Sequence, residues 1–566
     1  MENKKCKQCG QEFTVENADL EFYKKVSPEI DGEVLEIPAP TLCPDCRIQR
    51  RFAFRNERKL YSNECQSCQK SIVTIYAPNS PYKPYCMDCW YSDKWDGSTF
   101  AMDYDPSRSF LKQFKELMLK VPRLAVMSPN NENSEYINGA TGNKDCYLIF
   151  VSDHNENSAY SEKILNCMDV LDSTDCERCE YCYSLNGCTG CSRSQFLIDC
   201  HDTNDSRFCF DCRGCNDCFL CAGLRQKQFC IENQQYSKEE YEKKVTELFD
   251  HSQKSVDANW EKLLKLKAQH PHLFMHGNKN ENSSGDYIYN CKDSHDCFES
   301  HYLENSKFSI AGNHAKDIYD CYVPVDETEL VLESVSMSNL VSSAFTFACY
   351  NGCHNIYYSE YMNGCRNCFG CSGLSKKEFC ILNKQYTEEE YNKLVPEIVA
   401  SMRKNGEWGE YFPISLSPYG YNETAAHEYY PLTEKEAAAL GASWQDEDFA
   451  PNYSGEFYEP KEDIREYIGS EGEVTKLLNS AIKCKISGRP FKVTKQEVAF
   501  YLKNLVPIPT KHYDVRYAER LALRNPRKTY HRKCMNDGCV NGFDTTYAPD
   551  CPAKVFCRSC YEKTVS

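Results

Sequence analysis

No stretch of this 566-residue chain approaches the roughly 20 consecutive apolar residues that a membrane helix needs. No membrane partner is expected. A hydrophobic leader is missing too: MENKKCKQCG runs straight into a CxxC, which predicts a cytoplasmic location. The chain has no Walker A, GxSxG or HExxH motif, and no GxGxxG between a strand and a helix. No catalytic or cofactor-binding residue is therefore assigned, and the reading leans away from an enzyme. His154, His201 and His301, near Asp153 and Asp202, read as solvated turn residues. The formal net charge of -17 excludes a protein that coats nucleic acid with its whole surface.

What the chain has in excess is cysteine, 37 residues in four groups. Eight lie in residues 1–95, fourteen in 146–230, nine in 291–380 and six in 484–560. In a reducing cytoplasm the paired CxxC units read as metal ligands before they read as disulfides.

Within the second group a clock is audible. Cys146, Cys167, Cys188, Cys209 and Cys230 fall 21 residues apart, and Cys179, Cys200, Cys221 and Cys191, Cys212 keep the same interval. A fixed period in the 20s predicts stacked coils, each presenting a small buried side chain at the same point. Short aliphatic pieces between Asn, Asp and Ser favour strands and turns, so a β-helix is expected.

That region is duplicated. CNDCFLCAGLRQKQFCIENQQYSKEEY at 215–241 and CRNCFGCSGLSKKEFCILNKQYTEEEY at 365–391 share 16 of 27 positions at an offset of 150. The second copy carries Val, Phe and Ile at several cysteine sites, which reads the coil cysteines as replaceable packing. Iron–sulfur clusters or extra zinc in the coils are the competing readings; the bacterial cluster pattern ends in CP, which is absent. Ser237 with Glu240, and Thr387 with Glu390, predict capping boxes that open a helix after each block, with Tyr241, Val245 and Leu248 on the buried face of the first. A helix from Asp105 and Pro106, with Phe110, Phe114, Leu117 and Val121 as its apolar stripe, is expected to plug the first block.

The strongest chemical motif is Cys6-x2-Cys9 with Cys43-x2-Cys46, and Cys65-x2-Cys68 with Cys86-x2-Cys89. Paired CxxC turns suit tetrahedral Zn²⁺, because each turn aims two sulfurs at one ion. Residues 484–560 repeat the module: CKISGRPFKV answers CKQCGQEFTV, and RNPRKTYHRKC answers RNERKLYSNEC. In that copy Ser487, His512 and Val515 replace Cys9, Cys43 and Cys46, while Cys534, Cys539, Cys557 and Cys560 preserve the other quartet. One foursome has lapsed as a unit and one survives, which implies about three structural Zn ions.

Both modules carry an arginine-rich segment. Arg47, Arg50, Arg51 and Arg55 lie in the first; Arg516, Arg524, Arg527 and Lys528 lie in the second, where residues 482–566 hold 17 Lys+Arg against 7 Asp+Glu. Arginine interleaved with aromatics predicts contact with RNA or a ribonucleoprotein; the alternative is a helix with one solvated basic face. Residues 406–465 are acidic and tyrosine-rich, with one short helix opened by Thr433 and Glu436 and stopped at Gly441, and read as an extended connector that lets the basic module fold back on the acidic blocks.

The chain is thus expected to be mainly β with capping helices, as two duplicated cysteine-rich β-solenoid blocks between zinc-ribbon modules. The units are residues 1–98 (double ribbon), 99–129 (helical linker), 130–236 (first block), 237–279 (cap and linker), 280–386 (second block), 387–465 (cap and connector) and 466–566 (degenerate basic ribbon). CPDCR with RNERKLY, YCMDCWYSDKWD, the cysteine-rich coils, NKQY and SPYGYNET together resemble a group of large zinc-ribbon proteins found in bacteria of poorly cultured candidate phyla. The resemblance implies zinc binding and this architecture, and supplies no substrate. The expected function is a zinc-binding, non-enzymatic scaffold with an RNA or protein partner. The alternatives are a metal or thiol reservoir with redox-active coil cysteines, and a carbohydrate-binding or adhesive β-helix.

Overall fold

The computed structural model describes residues 1–448 and 453–565 and is mainly β with several helices. Two large sheets dominate, of nine and ten strands. The first runs from Glu162–Leu165 to Gln234–Gln235, the second from Gly277–Asn278 to Lys384–Gln385. Most strands pair in parallel at an offset of 12 residues, with an 11-residue step at Gly277 to Ile288 and a 13-residue step at Leu340 to Cys353: Leu185 lies beside Leu197 and Leu197 beside Cys209. Ile356, Cys368 and Cys380 repeat that spacing in the second sheet. Isolated bridges carry it back to Glu132 and Lys144.

The chain therefore regains the same column after 12 residues, not 21. The underlying unit is shorter still. Every third residue turns through the left-handed region, as at Asp199, Asp202 and Asp205 (φ 53, 47 and 48). That conformation costs an L-residue about 1–2 kcal/mol and is most tolerable for Asn and Asp, which explains their abundance in these stretches. Between the corners one side chain in three points inward: Cys182, Leu185, Cys188, Cys191, Ser194, Leu197 and Cys200 are all buried. Since 21 is a multiple of three, the cysteine ladder samples this inward register and does not measure a coil.

Inward cysteines and serines do the same work. Ser194 Oγ donates to the carbonyls of Ser192 (2.9 Å) and Thr203 (3.1 Å). Cys200 Sγ donates to those of Ile198 (3.4 Å) and Cys209 (3.5 Å). Burial pushes the Cys146 thiol up to about 11 and the Cys353 thiol up to about 12, which keeps the donor proton in place. Where thiols stack, hydrogen bonds among them pull Cys179 down and push Cys191 up.

Each stack ends in a tight antiparallel turn, with Glu232 and Asn233, or Leu382 and Asn383, both left-handed. The helices Lys238–Leu248 and Glu388–Asn405 follow, opened by the capping boxes at Ser237 and Thr387. Tyr241 is buried, whereas Leu248 is exposed and lies off the packed face. The helix Phe110–Lys120 is N-capped by Ser109 rather than Asp105. It closes the second stack, not the first: Phe110 meets Phe369 edge-on at 5.1 Å and Phe114 stacks on Phe412 at 5.3 Å. Residues 406–430 are packed rather than extended, with Trp408, Tyr411, Phe412, Tyr419 and Tyr421 buried; the expected short helix is Glu434–Ala439, in a more exposed stretch where Ala437 is buried. Residues 449–452 of that connector lie outside the described residues.

The terminal modules share one order of elements. A hairpin (Glu2–Lys5 with Glu12–Val15; Ile482–Lys483 with Pro490–Phe491) leads to a first helix (Asn17–Val26; Lys495–Asn504) and an arginine-bearing second (Pro44–Phe52; Tyr513–Leu521). A second hairpin follows (Tyr61–Glu64 with Ser71–Thr74; Tyr530–Lys533 with Gly542–Thr545). Their docking is crossed. The N-terminal module shares a core with the second stack, where Phe22 stacks on Tyr319 at 3.9 Å, and the C-terminal module shares one with the first, where Tyr501 meets Tyr183 at 6.0 Å.

Candidate metal centres

Three groups of four cysteines converge: Cys6, Cys9, Cys43 and Cys46; Cys65, Cys68, Cys86 and Cys89; and Cys534, Cys539, Cys557 and Cys560. Within each, every sulfur lies within 4.8 Å of every other. Measured sulfur pairs are Cys9–Cys43 at 3.6 Å, Cys68–Cys86 at 3.8 Å and Cys539–Cys557 at 3.9 Å. A tetrahedron with Zn–S bonds of about 2.3 Å has edges of about 3.8 Å, so the spacing fits a four-coordinate ion. The cysteine groupings are those that the lapsed copy implied.

Local geometry makes each quartet from one hairpin and one helix start. In the first hairpin Cys6 N–H donates to Gln11 and Cys6 accepts from Gly10 N–H (2.8 and 2.9 Å), closing a knuckle that needs a left-handed residue, Gly10 at φ 76. Gln69 plays that part at φ 62 in the second; in the last, Gly538 (φ 77) lies inside the longer Cys534–Cys539 gap, where Cys539 N–H donates to Asn536 (3.0 Å). The second pair sits at a helix N-terminus: Cys43, Cys86 and Cys557 are N-cap residues. Free N–H groups at such an end stabilise thiolates.

The thiols respond accordingly. Hydrogen bonding from Cys46 holds Cys43 down at about 5, against burial. Burial opposes the Cys65 thiolate, but the N–H groups of Cys86, Cys68 and Ser67 outweigh it and bring the thiol to about 6. Cys557 also falls to about 6, because Ser559, Asn541 and the Cys560 N–H overcome burial. Two of these donors went unseen in the sequence. Asn541 Nδ2 reaches Cys557 Sγ (3.5 Å), and Asn536, inside the longer Cys534–Cys539 gap, reaches Cys560 Sγ (3.4 Å). The extra residues of that knuckle thus supply a ligand-orienting amide.

At the lapsed site Cys484 and His512 remain buried. Burial lowers His512 to about 4, so the imidazole is neutral, and it caps its helix by accepting from Asp514 N–H at 3.2 Å. A hydrogen-bonding role has replaced the ligand.

The arginine segments do not form a basic surface. Arg47 and Arg51 both pair with Asp320 (2.9 and 3.0 Å), and Arg50 bridges Glu333 and Glu410 (2.7 Å each). Arg55 pairs with Glu57 at 3.0 Å. In the C-terminal module Arg516 pairs with Asp172, Arg524 with Asp175 (2.8 Å), Arg527 with Glu299 (2.7 Å) and Lys528 with Asp45 (2.6 Å). Arg47, Arg50, Arg51, Arg516 and Arg527 are buried. Their guanidiniums are spent on carboxylates of the two sheets, and no phosphate can reach them without breaking the joint. Five of these carboxylates, Asp172, Asp175, Glu299, Asp320 and Glu333, were invisible in the sequence because each stands at an ordinary left-handed corner of a sheet segment.

No helix among the described residues is long and apolar enough to cross a membrane. No family model matches the chain, and no curated protein matches it. Among solved structures, a protein described as an acetyltransferase from Desulfovibrio desulfuricans aligns over 49% of this chain and 81% of its own, at 9% identity and a TM-score of 0.10. A similarity that weak carries no argument about fold or activity.

Proposed function

We propose that the protein is a zinc-binding scaffold: two β-solenoid blocks of 12-residue coils, clamped together by terminal zinc-ribbon modules that each straddle a block. The observation that carries this reading is the convergence of three cysteine quartets at tetrahedral spacing beside helices whose arginines are ion-paired into the sheets. Zinc is favoured because four thiolates close the shell and leave no open position for chemistry. Its role is then to hold the hairpin and helix start together, so that the arginines meet their carboxylates. A reducing cytoplasm suits a chain whose other cysteines serve as hydrogen-bonded packing. RNA contact through the arginine segments is disfavoured, because Arg47, Arg50, Arg51, Arg516 and Arg527 are buried in ion pairs and Arg55, Arg524 and the half-exposed Lys528 are paired with carboxylates as well.

Elemental analysis of the purified chain tests this. About three zinc ions per chain is the expected result. Iron with visible absorption, or markedly more metal than three quartets can hold, would instead support the reservoir of coil thiols.

A further inference from the structure

Between the first stack, the helix Gln253–Gln269 and the segment entering the helix Tyr513–Leu521 lies a cleft of about 460 Å³. That is the size range of small-molecule sites, and it lies away from all three cysteine quartets in its lining. Its walls bring together apolar and aromatic side chains, Phe196 and Tyr183 from the stack, Trp260 and Leu264 from the helix, Pro507 and Pro509 from the C-terminal module.

The floor is charged. Arg516 and Arg520 share the single carboxylate of Asp172, which leaves one positive charge uncompensated by that group. Arg520 is otherwise satisfied by the carbonyl of Tyr160 (2.9 Å) and the hydroxyl of Thr174 (3.2 Å). Arg516 is not: its Nε is buried and has no hydrogen-bond partner, and the residue is only 9% exposed. Glu497, the next acid beside Arg516, accepts from the hydroxyls of Tyr160 (2.6 Å) and Tyr501 (3.1 Å) and from Thr494 N–H (2.7 Å). Burial raises its carboxyl, and the nearby Arg516 guanidinium only partly offsets that. At the mouth Lys511 pairs with Glu519 (2.6 Å) and Asp257 is held by Gln253 (2.8 Å).

We propose that this cleft binds a flat organic anion, its ring seated against Trp260 and Phe196 and its carboxylate directed to Arg516. Such a ligand touches both the first stack and the C-terminal module, so binding tightens the joint between them. The inference does not depend on what metal the quartets hold.

Isothermal titration of the intact metal-loaded chain with 2-naphthoate, against the uncharged 2-naphthalenemethanol, tests it. One saturable site is expected, with the carboxylate bound at least tenfold more tightly than the alcohol. Arg516→Gln removes that preference. Because Arg516 also pairs with Asp172, Ser184→Trp is the second arm: it fills the cleft from a partly exposed wall position and abolishes binding while the melting temperature holds. Absence of saturable binding to the intact chain, equal affinity for acid and alcohol, or naphthoate binding unchanged in Ser184→Trp overturns the proposal.

Discussion

Arg516 and Asp172, 344 positions apart, form a buried ion pair that ties the last module of the chain to the first parallel stack. Asp172 holds a second guanidinium, Arg520, at 3.2 Å. Removing the carboxylate leaves two buried cations without a counter-charge, and breaking such a pair costs about 3–5 kcal/mol. Asp172→Asn is expected to lower the unfolding free energy by that amount, with a correspondingly lower denaturant midpoint, and to separate unfolding of the C-terminal module from the rest. Chemical denaturation followed by tryptophan and tyrosine fluorescence checks it, and a wild-type midpoint would remove the pair from the account.

Metal loss should act quartet by quartet. Cys65→Ser is expected to lower the zinc content from about three to about two ions per chain and to loosen the hairpin Tyr61–Glu64 with Ser71–Thr74. Zinc content by elemental analysis, with limited proteolysis of residues 60–90, measures both. Cys484→Ser should leave the count unchanged, since only two ligand types survive at that site.

Coil cysteines should tolerate hydroxyls. Cys200 donates to two carbonyls as Ser194 does, so Cys200→Ser keeps the donor and is expected to cost about 1 kcal/mol or less. Cys200→Phe inserts bulk into a filled column and should cost about 1–3 kcal/mol or more. Similar penalties for the two variants would argue that the sulfur has a role beyond packing.

The buried ion network predicts pH dependence with a definite sign. Burial raises Asp286, but His276 outweighs it and holds the carboxyl below its ordinary value of 3.8. A depressed folded pKa contributes stability that is present above the unfolded value and is lost as pH falls through the folded one. His276 is lowered by burial and raised more strongly by Asp286 and Asp199, so its folded pKa lies above 6.5. Its contribution is complete below that value and is lost as pH rises through the folded pKa. Wild type should therefore exceed Asp286→Asn in stability most at about pH 5–6, with the difference shrinking toward pH 3 and toward pH 9. Urea midpoints for both chains across that range decide it; a pH-independent difference would contradict the coupling.

Some of this was legible in the letters. The convergence of the quartets was, because a lapsed copy sits beside a surviving one and their cysteines come in short-range pairs. The boxes at Ser237, Thr387 and Thr433 were, because a cap and its partner are three residues apart. The 12-residue pairing interval was not: a three-residue register seen only where cysteine happens to fall yields several false multiples, and 21 was the most regular of them. The placement of the helix Phe110–Lys120 on the second stack was not either, since an apolar stripe fits either open end.

The arginines show the boundary most clearly. By itself the sequence determined their spacing on a helix behind a cysteine knuckle, the cysteine quartets, the duplications and the preference for strands with Asn and Asp at the corners, most of which rest on interactions within a few residues. Only the tertiary structure decided where those arginines point. Arg50 meets Glu333 across 283 positions and Arg516 meets Asp172 across 344, and an ion pair between groups so far apart depends on the crossed docking of each module, which no local pattern encodes.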